Sequence, residues 1–199
     1  MRWFALLVML ASTSVRAENG RLLDDHTFDT EPNGQLAADA GVVVGLPSAL
    51  PSGLSTGLGG GITRTCGCLF SYGARASWSR VAEPGMAYLV TQDDFRVRVT
   101  GAIRHDAGRG SIALRLGVGP TIVHESRDRL QGNRDVGLSG DALHTSATRA
   151  LPAGELEAVI SVKIVGDWLL VASGGPSLDI ESGTAHVGWV SMLGVGWQP

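Results

Sequence analysis

Between Phe95 and Arg104 the chain alternates without a break: Phe95, Val97, Val99, Gly101 and Ile103 take one parity, and Arg96, Arg98, Thr100, Ala102 and Arg104 the other. A period of two gives a strand one apolar and one polar face, whereas a helix would scatter both sets around its axis. After the turn signal "HDAGRG" the pattern resumes, with Ile112, Leu114, Leu116 and Val118 set against Ser111, Ala113, Arg115 and Gly117, and the two runs read as a hairpin. "ELEAVISVKIV", turned by Gly166-Asp167 into "WLLVASGGPSLDI", is a second hairpin. "LFSYGARASWS" and "HVGWVSMLGVGW" alternate likewise, and the weaker "AADAGVVVGL" and "TGLGGGITRT" bring the count to eight strands. "AEPGMAYLVTQDD" has two readings, a loop or a Pro84-Gly85 turn with Met86 to Val90 extending the next strand, so ten strands stand as an alternative to eight.

The two hairpins share a phrase. "LGVGPTIVHES" and "ASGGPSLDIES" place Gly119-Pro120 and Glu125-Ser126 in one frame with Gly175-Pro176 and Glu181-Ser182, every matched position 56 residues apart. An even offset preserves the face assignment, so both strands are expected to run the same way, each after a short turn and before a longer loop. "GARASWSRVAE", from Gly73, is a looser third copy. Tight turns after strands 4 and 6, against a long polar stretch from His124 to Gly154 after strand 5, put short turns on one rim and long loops on the other. That is the plan of a transmembrane barrel.

The chain opens "MRWFALLVMLASTSVRA", where Arg2, the apolar run from Trp3 to Leu10 and the small-residue pattern ending at Ala17 read as a secretory signal peptide over residues 1–17. Residues 18–35 form an acidic, flexible lead, and residues 36–199 the barrel domain. After the leader no apolar run approaches the roughly 20 residues of a spanning helix. Any membrane crossing must therefore use strands. With 28 Gly among 199 residues but 44% hydrophobic residues, the chain is too apolar for a disordered linker. A net charge of −3 without a polybasic tract argues against nucleic acid as a partner.

Alternation alone does not say which face is inside. The polar parity is rich in glycine, which weakens a solvated strand but inside a narrow barrel makes room for Arg75, Arg96, Arg98, Arg115 and Lys163, with Glu157, Asp179 and Glu181 as partners. Tyr72, Trp78, Trp168, Trp189 and Trp197 share the apolar parity, several near strand ends, as an interfacial aromatic girdle requires. Both features turn the apolar face toward lipid and give an all-β, antiparallel up-and-down transmembrane β-barrel. The chain resembles the small Gram-negative outer-membrane β-barrel families of the eight-stranded type. This resemblance implies residence in the cell outer membrane, contact with outer-membrane lipids and delivery by the barrel-insertion machinery. Such families usually end on an aromatic residue, whereas here Trp197 is followed by Gln198-Pro199.

Eight strands leave just enough interior for side chains, so the expected role is structural or surface-binding, with no wide pore, no cofactor and no metal. Two alternatives have their own marks. His144-Thr145-Ser146 with the later Glu155 and Glu157 loosely resembles outer-membrane lipid A deacylases, which would make His144, Ser146 and Glu157 a base, nucleophile and orienting acid. A soluble, lipocalin-like ligand-binding barrel would turn the apolar face inward. Cys66-Gly67-Cys68 reads as a structural turn, with a disulfide that would need the turn to tighten, or a metal or redox role, as alternatives.

Overall fold

The computed structural model describes residues 35–46, 53–66, 69–84, 88–129 and 144–199. The expected signal peptide, and the acidic lead up to residue 34, lie outside them. Eight strands follow in chain order: β1 (Leu36–Leu46), β2 (Ser55–Cys66), β3 (Phe70–Pro84), β4 (Tyr88–Ala107), β5 (Gly110–Arg129), β6 (His144–Val165), β7 (Trp168–Glu181) and β8 (Thr184–Trp197). Each pairs antiparallel with the next, and β8 returns to β1 with Gly194 opposite Gly41, so the sheet closes on itself. A closed ring leaves no ladder edge along its wall. Eight strands therefore replace the ten-strand alternative, because the stretch around Val90 extends β4 instead of forming a strand of its own.

The start of β1, the end of β8 and the connections after β2, β4 and β6 share one rim, here the turn rim; those after β1, β3, β5 and β7 share the loop rim. The turns at Gly108 and Gly166 adopt positive φ of 58° and 53°. The longer loop expected after the second shared phrase is absent. Ser182 and Gly183, at φ of 50° and 82°, turn β7 straight into β8, because two left-handed residues in succession match the twist of a tight hairpin.

The alternating faces sort as charge and lipid would sort them. Leu58, Ile62, Val97, Val99, Leu114, Leu116 and Leu193 point outward and are exposed, while Arg96, Arg98, Arg115 and Glu157 point inward and are buried. A soluble barrel needs the opposite arrangement. Inward glycines let neighbouring backbones come close: a Cβ on Gly175 would stand 1.9 Å from the Leu156 carbonyl oxygen, and one on Gly73 would stand 2.1 Å from that of Ile62. The interior is not wholly polar, contrary to the expected filling of Arg, Lys, Gly and acids. Val43, Leu169, Val171, Val190 and Met192 form a buried apolar cluster on the β1, β7 and β8 arc. Apolar residues on both parities of "VVV" and "LLV" hid this lining from a reading by alternation.

Strand length is uneven. β4 and β5 have 20 residues each and β6 has 22, against 11 in β1 and 12 in β2. A strand needs only about 9–11 residues to cross the hydrocarbon core. The excess stands beyond the apolar band on the loop rim, where the outward residues become Asp93, His124, Ser126 and Thr148. The stretch expected to be one loop from His124 to Gly154 is thus mostly the paired ends of β5 and β6, with His124 opposite Thr148 and Ser126 opposite Ser146.

Candidate functional site

The lumen is filled by a column of ionic and hydroxyl contacts descending from the loop rim. At the top, Arg149 on β6 lies between the two strands that carry the repeated phrase. It reaches Glu125 Oε2 at 3.4 Å on one side and Glu181 Oε1 at 3.1 Å on the other, and Glu125 also accepts from Arg127 Nε at 2.7 Å. The matched Glu residues of the phrase are thus two acids meeting one cation. Below them Arg96 Nη2 donates to Asp94 Oδ2 at 2.8 Å and Nη1 to Ser79 Oγ at 3.1 Å, while Gln92 Nε2 donates to Asp94 Oδ1 at 2.8 Å.

Arg98 sits in the middle with 2% of its surface exposed. Its guanidinium donates to the Pro120 carbonyl at 2.6 Å and to Thr121 Oγ1 at 2.7 Å, and it pairs with Glu155 at 3.1 Å. Thr121 Oγ1 in turn donates a hydrogen bond to Asp179 Oδ1 at 2.8 Å. One layer further down, Arg115 Nε donates to Glu157 Oε2 at 2.7 Å, Ser173 Oγ donates to the other carboxylate oxygen at 3.3 Å, and Arg75 faces Asp39 at 3.8 Å and the Met192 sulfur at 3.0 Å. Small voids flank this layer, about 10 Å³ above and about 80 Å³ below. Buried charges persist only when matched and hydrogen-bonded. The column pairs its charges mostly across strands, Arg96 with Asp94 being the buried pair within one strand.

The turn-rim mouth has a strap. Gln198 curls inward: its N–H donates to the Asp167 carbonyl at 2.9 Å, its Nε2 donates to Gln35 Oε1 at 2.5 Å, and its Oε1 receives Arg104 Nη2 at 3.5 Å. The residue after Trp197 therefore occupies the lumen, while Trp197 itself stays on the outer wall.

Trp168 and Trp197 are paired across β7 and β8 on the outer wall near the turn rim, and Tyr72 lies outward on the same half of β3. Trp78 and Trp189 lie toward the loop rim. Beyond the apolar band there, Trp78 Nε1 donates to Asp93 Oδ1 at 2.9 Å, and Arg80 grips Asp93 through Nε and Nη2 at 2.8 and 2.9 Å with its guanidinium 5.7 Å from the Trp78 ring centroid. The hydrogen bond from Arg80 holds the Asp93 carboxyl below its ordinary range.

Several candidates from the sequence stand apart. Lys163 is exposed at the turn rim, where the bulge between Lys163 and Val165 ends the strand. His144 and Ser146 stand at the exposed loop-rim end of β6, where His144 Nδ1 meets Asp128 Oδ1 at 2.6 Å. Glu157 lies 13 residues further along the same strand, roughly 43 Å away at about 3.3 Å per residue, and is bound to Arg115. The three do not assemble into a triad. Cys66 ends β2 with a free, exposed thiol, and Cys68 lies outside the described residues. The sequence reading passed over Asp39, Gln92, Asp94, Arg149 and Gln198. Asp94 had a usable signal, since it lies two residues before Arg96 on the same face.

A closed ring of eight up-and-down strands, apolar outside and ionic within, defines a small β-barrel of the outer-membrane kind. Its likeness to solved structures is to Ail, the attachment invasion locus protein of Yersinia pestis: 11% identity and a TM-score of 0.57 to the complex with the heparin analogue sucrose octasulfate, over 84% of this chain and 99% of that one. The structure of Ail without that ligand matches at 12% identity and a TM-score of 0.55, over the same shares of the two chains. The outer membrane protein OprG from Pseudomonas aeruginosa follows at 13% identity and 0.49, over 84% of this chain and 96% of OprG. No family model matches the chain, and no curated protein is similar in sequence. At such identities the likeness concerns the fold.

Proposed function

We propose that this chain is an outer-membrane protein whose side-chain-filled barrel carries a binding surface on the loop rim, built on the protruding ends of β4, β5 and β6, and that it acts neither as a solute pore nor as an enzyme. One observation carries the reading: a column of largely paired charges occupies the lumen of a ring whose outer wall is apolar. Such a column blocks a water path, and such a wall finds its partner in lipid. The barrel-insertion machinery and the surrounding outer-membrane lipids are its expected partners. The Ail complex with sucrose octasulfate supports surface binding as a class of role for this fold. Here the described cations at the mouth, Arg127 and Arg149, face Glu125 and Glu181, an arrangement that does not favour a polysulfated ligand.

The test is fractionation of the expressed protein, followed by gel mobility before and after boiling and by recording in a planar bilayer. Membrane retention, a mobility shift on boiling and no stepwise conductance are expected. A β-rich protein that stays in buffer without detergent, or a steady open channel, would overturn the reading. His144→Ala and Ser146→Ala are expected to leave any acyl release from lipid at the level of the parent protein, and its loss in either variant would restore the esterase.

A further inference from the structure

The cavity of about 80 Å³ at the turn-rim end of the lumen has two unlike walls. Leu169 and Val171 of β7 with Val159 of β6 give one, and Arg104, Ser111 and Ser161, on the adjoining arc of β4 to β6, give the other, with Ser161 directly beside Val171. We propose that this cavity binds a short monocarboxylate of two or three carbons, which enters from the turn rim. The inference goes beyond the role given to the loop rim and uses the opposite end of the barrel.

The polar wall is built to meet an anion. Ser111 Oγ and Ser161 Oγ lie 2.6 Å apart, both buried. Only one of the two hydroxyl protons can lie between them, so the accepting serine has a proton to offer the cavity. Arg104 completes the set at the mouth. It is bound through Nε to Asp106, whose side chain is half exposed, and its Nη2 contact to Gln198 is long at 3.5 Å. A carboxylate oxygen would replace that weak amide contact with a charge-assisted one. Deeper in, the lining holds one further cation and one acid: Arg115 is matched by Glu157, and Asp39 faces Arg75 at 3.8 Å. The free positive potential is therefore at the mouth, where Arg104, Arg109 and Lys163 outnumber Asp106 and Asp167.

The apolar wall limits the tail. A dry cavity of about 150 Å³ accepts benzene, so about half that volume suits a methyl or ethyl group beside a carboxylate. Leu169 and Val171 supply the surface, and the strap from Gln198 to Gln35 must part to admit it. With so few atoms the affinity is about millimolar.

The experiment is a titration of propionate into the folded barrel in detergent, followed through the methyl resonances of Val159, Leu169 and Val171. Saturable shifts of those methyls are expected. Arg104→Gln should weaken binding about tenfold, the loss of one charge-assisted bond, and propionamide should bind correspondingly worse than propionate. Arg80→Gln, on the outer wall, should change nothing. Absent or non-saturating shifts, equal binding of propionamide, or an Arg104→Gln variant that binds like the parent would each overturn the assignment and leave the cavity to water.

Discussion

Glu125 and Glu181, 56 residues apart, meet on opposite sides of a single guanidinium, that of Arg149. The repeated phrase ends in an acid on β5 and again on β7, and β6 between them supplies the counter-charge. Replacing Arg149 by Gln leaves two carboxylates facing a neutral amide. The group is about one-third exposed, so the expected loss is modest, about 0.5–1 kcal/mol. Urea unfolding in detergent, read by the boiling-sensitive gel band, checks it. In a Glu125→Gln, Arg149→Gln double variant the effects should be non-additive.

Arg98 is the stronger case, because its side chain is 2% exposed and that of its ionic partner Glu155 10%. Arg98→Ala strands Glu155 in the lumen, and breaking a buried pair in this way costs about 3–5 kcal/mol. Arg98→Met combined with Glu155→Gln should recover most of that loss. If the double variant is no more stable than Arg98→Ala alone, the cost lies in the contacts to Pro120 and Thr121 and not in the charge.

Gly175→Ala should disturb the ring, since the new Cβ would fall 1.9 Å from a backbone oxygen that cannot swing away. Overpacking of this kind costs about 1–3 kcal/mol. Gly101→Ala, with nothing within 4 Å of the added carbon, is the matched control. Equal losses at the two sites would point to a general effect of removing glycine.

At the β7 to β8 turn Ser182 holds a φ of 50°, a conformation that asparagine and glycine adopt more readily. Ser182→Asn is expected to stabilise the barrel by about 0.5–1 kcal/mol. The midpoint of urea unfolding reports it, and an unchanged or lower midpoint would count against a left-handed turn there.

Asp93 gives a pH dependence with a definite sign. Its carboxyl is held below the ordinary aspartate value by Arg80, so its contribution to stability is present above the unfolded-state value of about 3.9 and is lost as pH falls through the lower folded-state value. Trp78, hydrogen-bonded to the same carboxylate, should report the change in its fluorescence below about pH 4. In Asp93→Asn that acid transition should vanish.

Much of the wall was legible because a period of two needs only sequence neighbours: Phe95 to Arg104 shows its strand without reference to any other residue. The lumen was less so. Arg98 and Glu155 lie on strands separated by β5, and whether they meet depends on strand tilt and register, which no local pattern encodes. The ends of β5 and β6 were read as loop for another reason. Beyond the lipid neither face must be apolar, so Ser126 and Ser146 carry no alternation although they are paired. The turn after β7 was missed because Ser182 closes the repeated phrase, and its likeness to β5 suggested a longer excursion before the next strand.

The lumen's division into an ionic arc and an apolar arc bears on how the barrel is made. Arg96 with Asp94, Arg98 with Glu155, Arg115 with Glu157 and Arg149 with its two acids all lie on β4 to β7. An open sheet can therefore neutralise these charges before its first and last strands meet. What remains for the joining of β1 to β8 is the approach of Gly41 to Gly194 and of Val43 to Met192, together with Asp39 of β1, whose partner Arg75 stands on β3. The final seam forms largely between small and greasy surfaces, with one carboxylate, that of Asp39, to be stripped of water at the moment of closure.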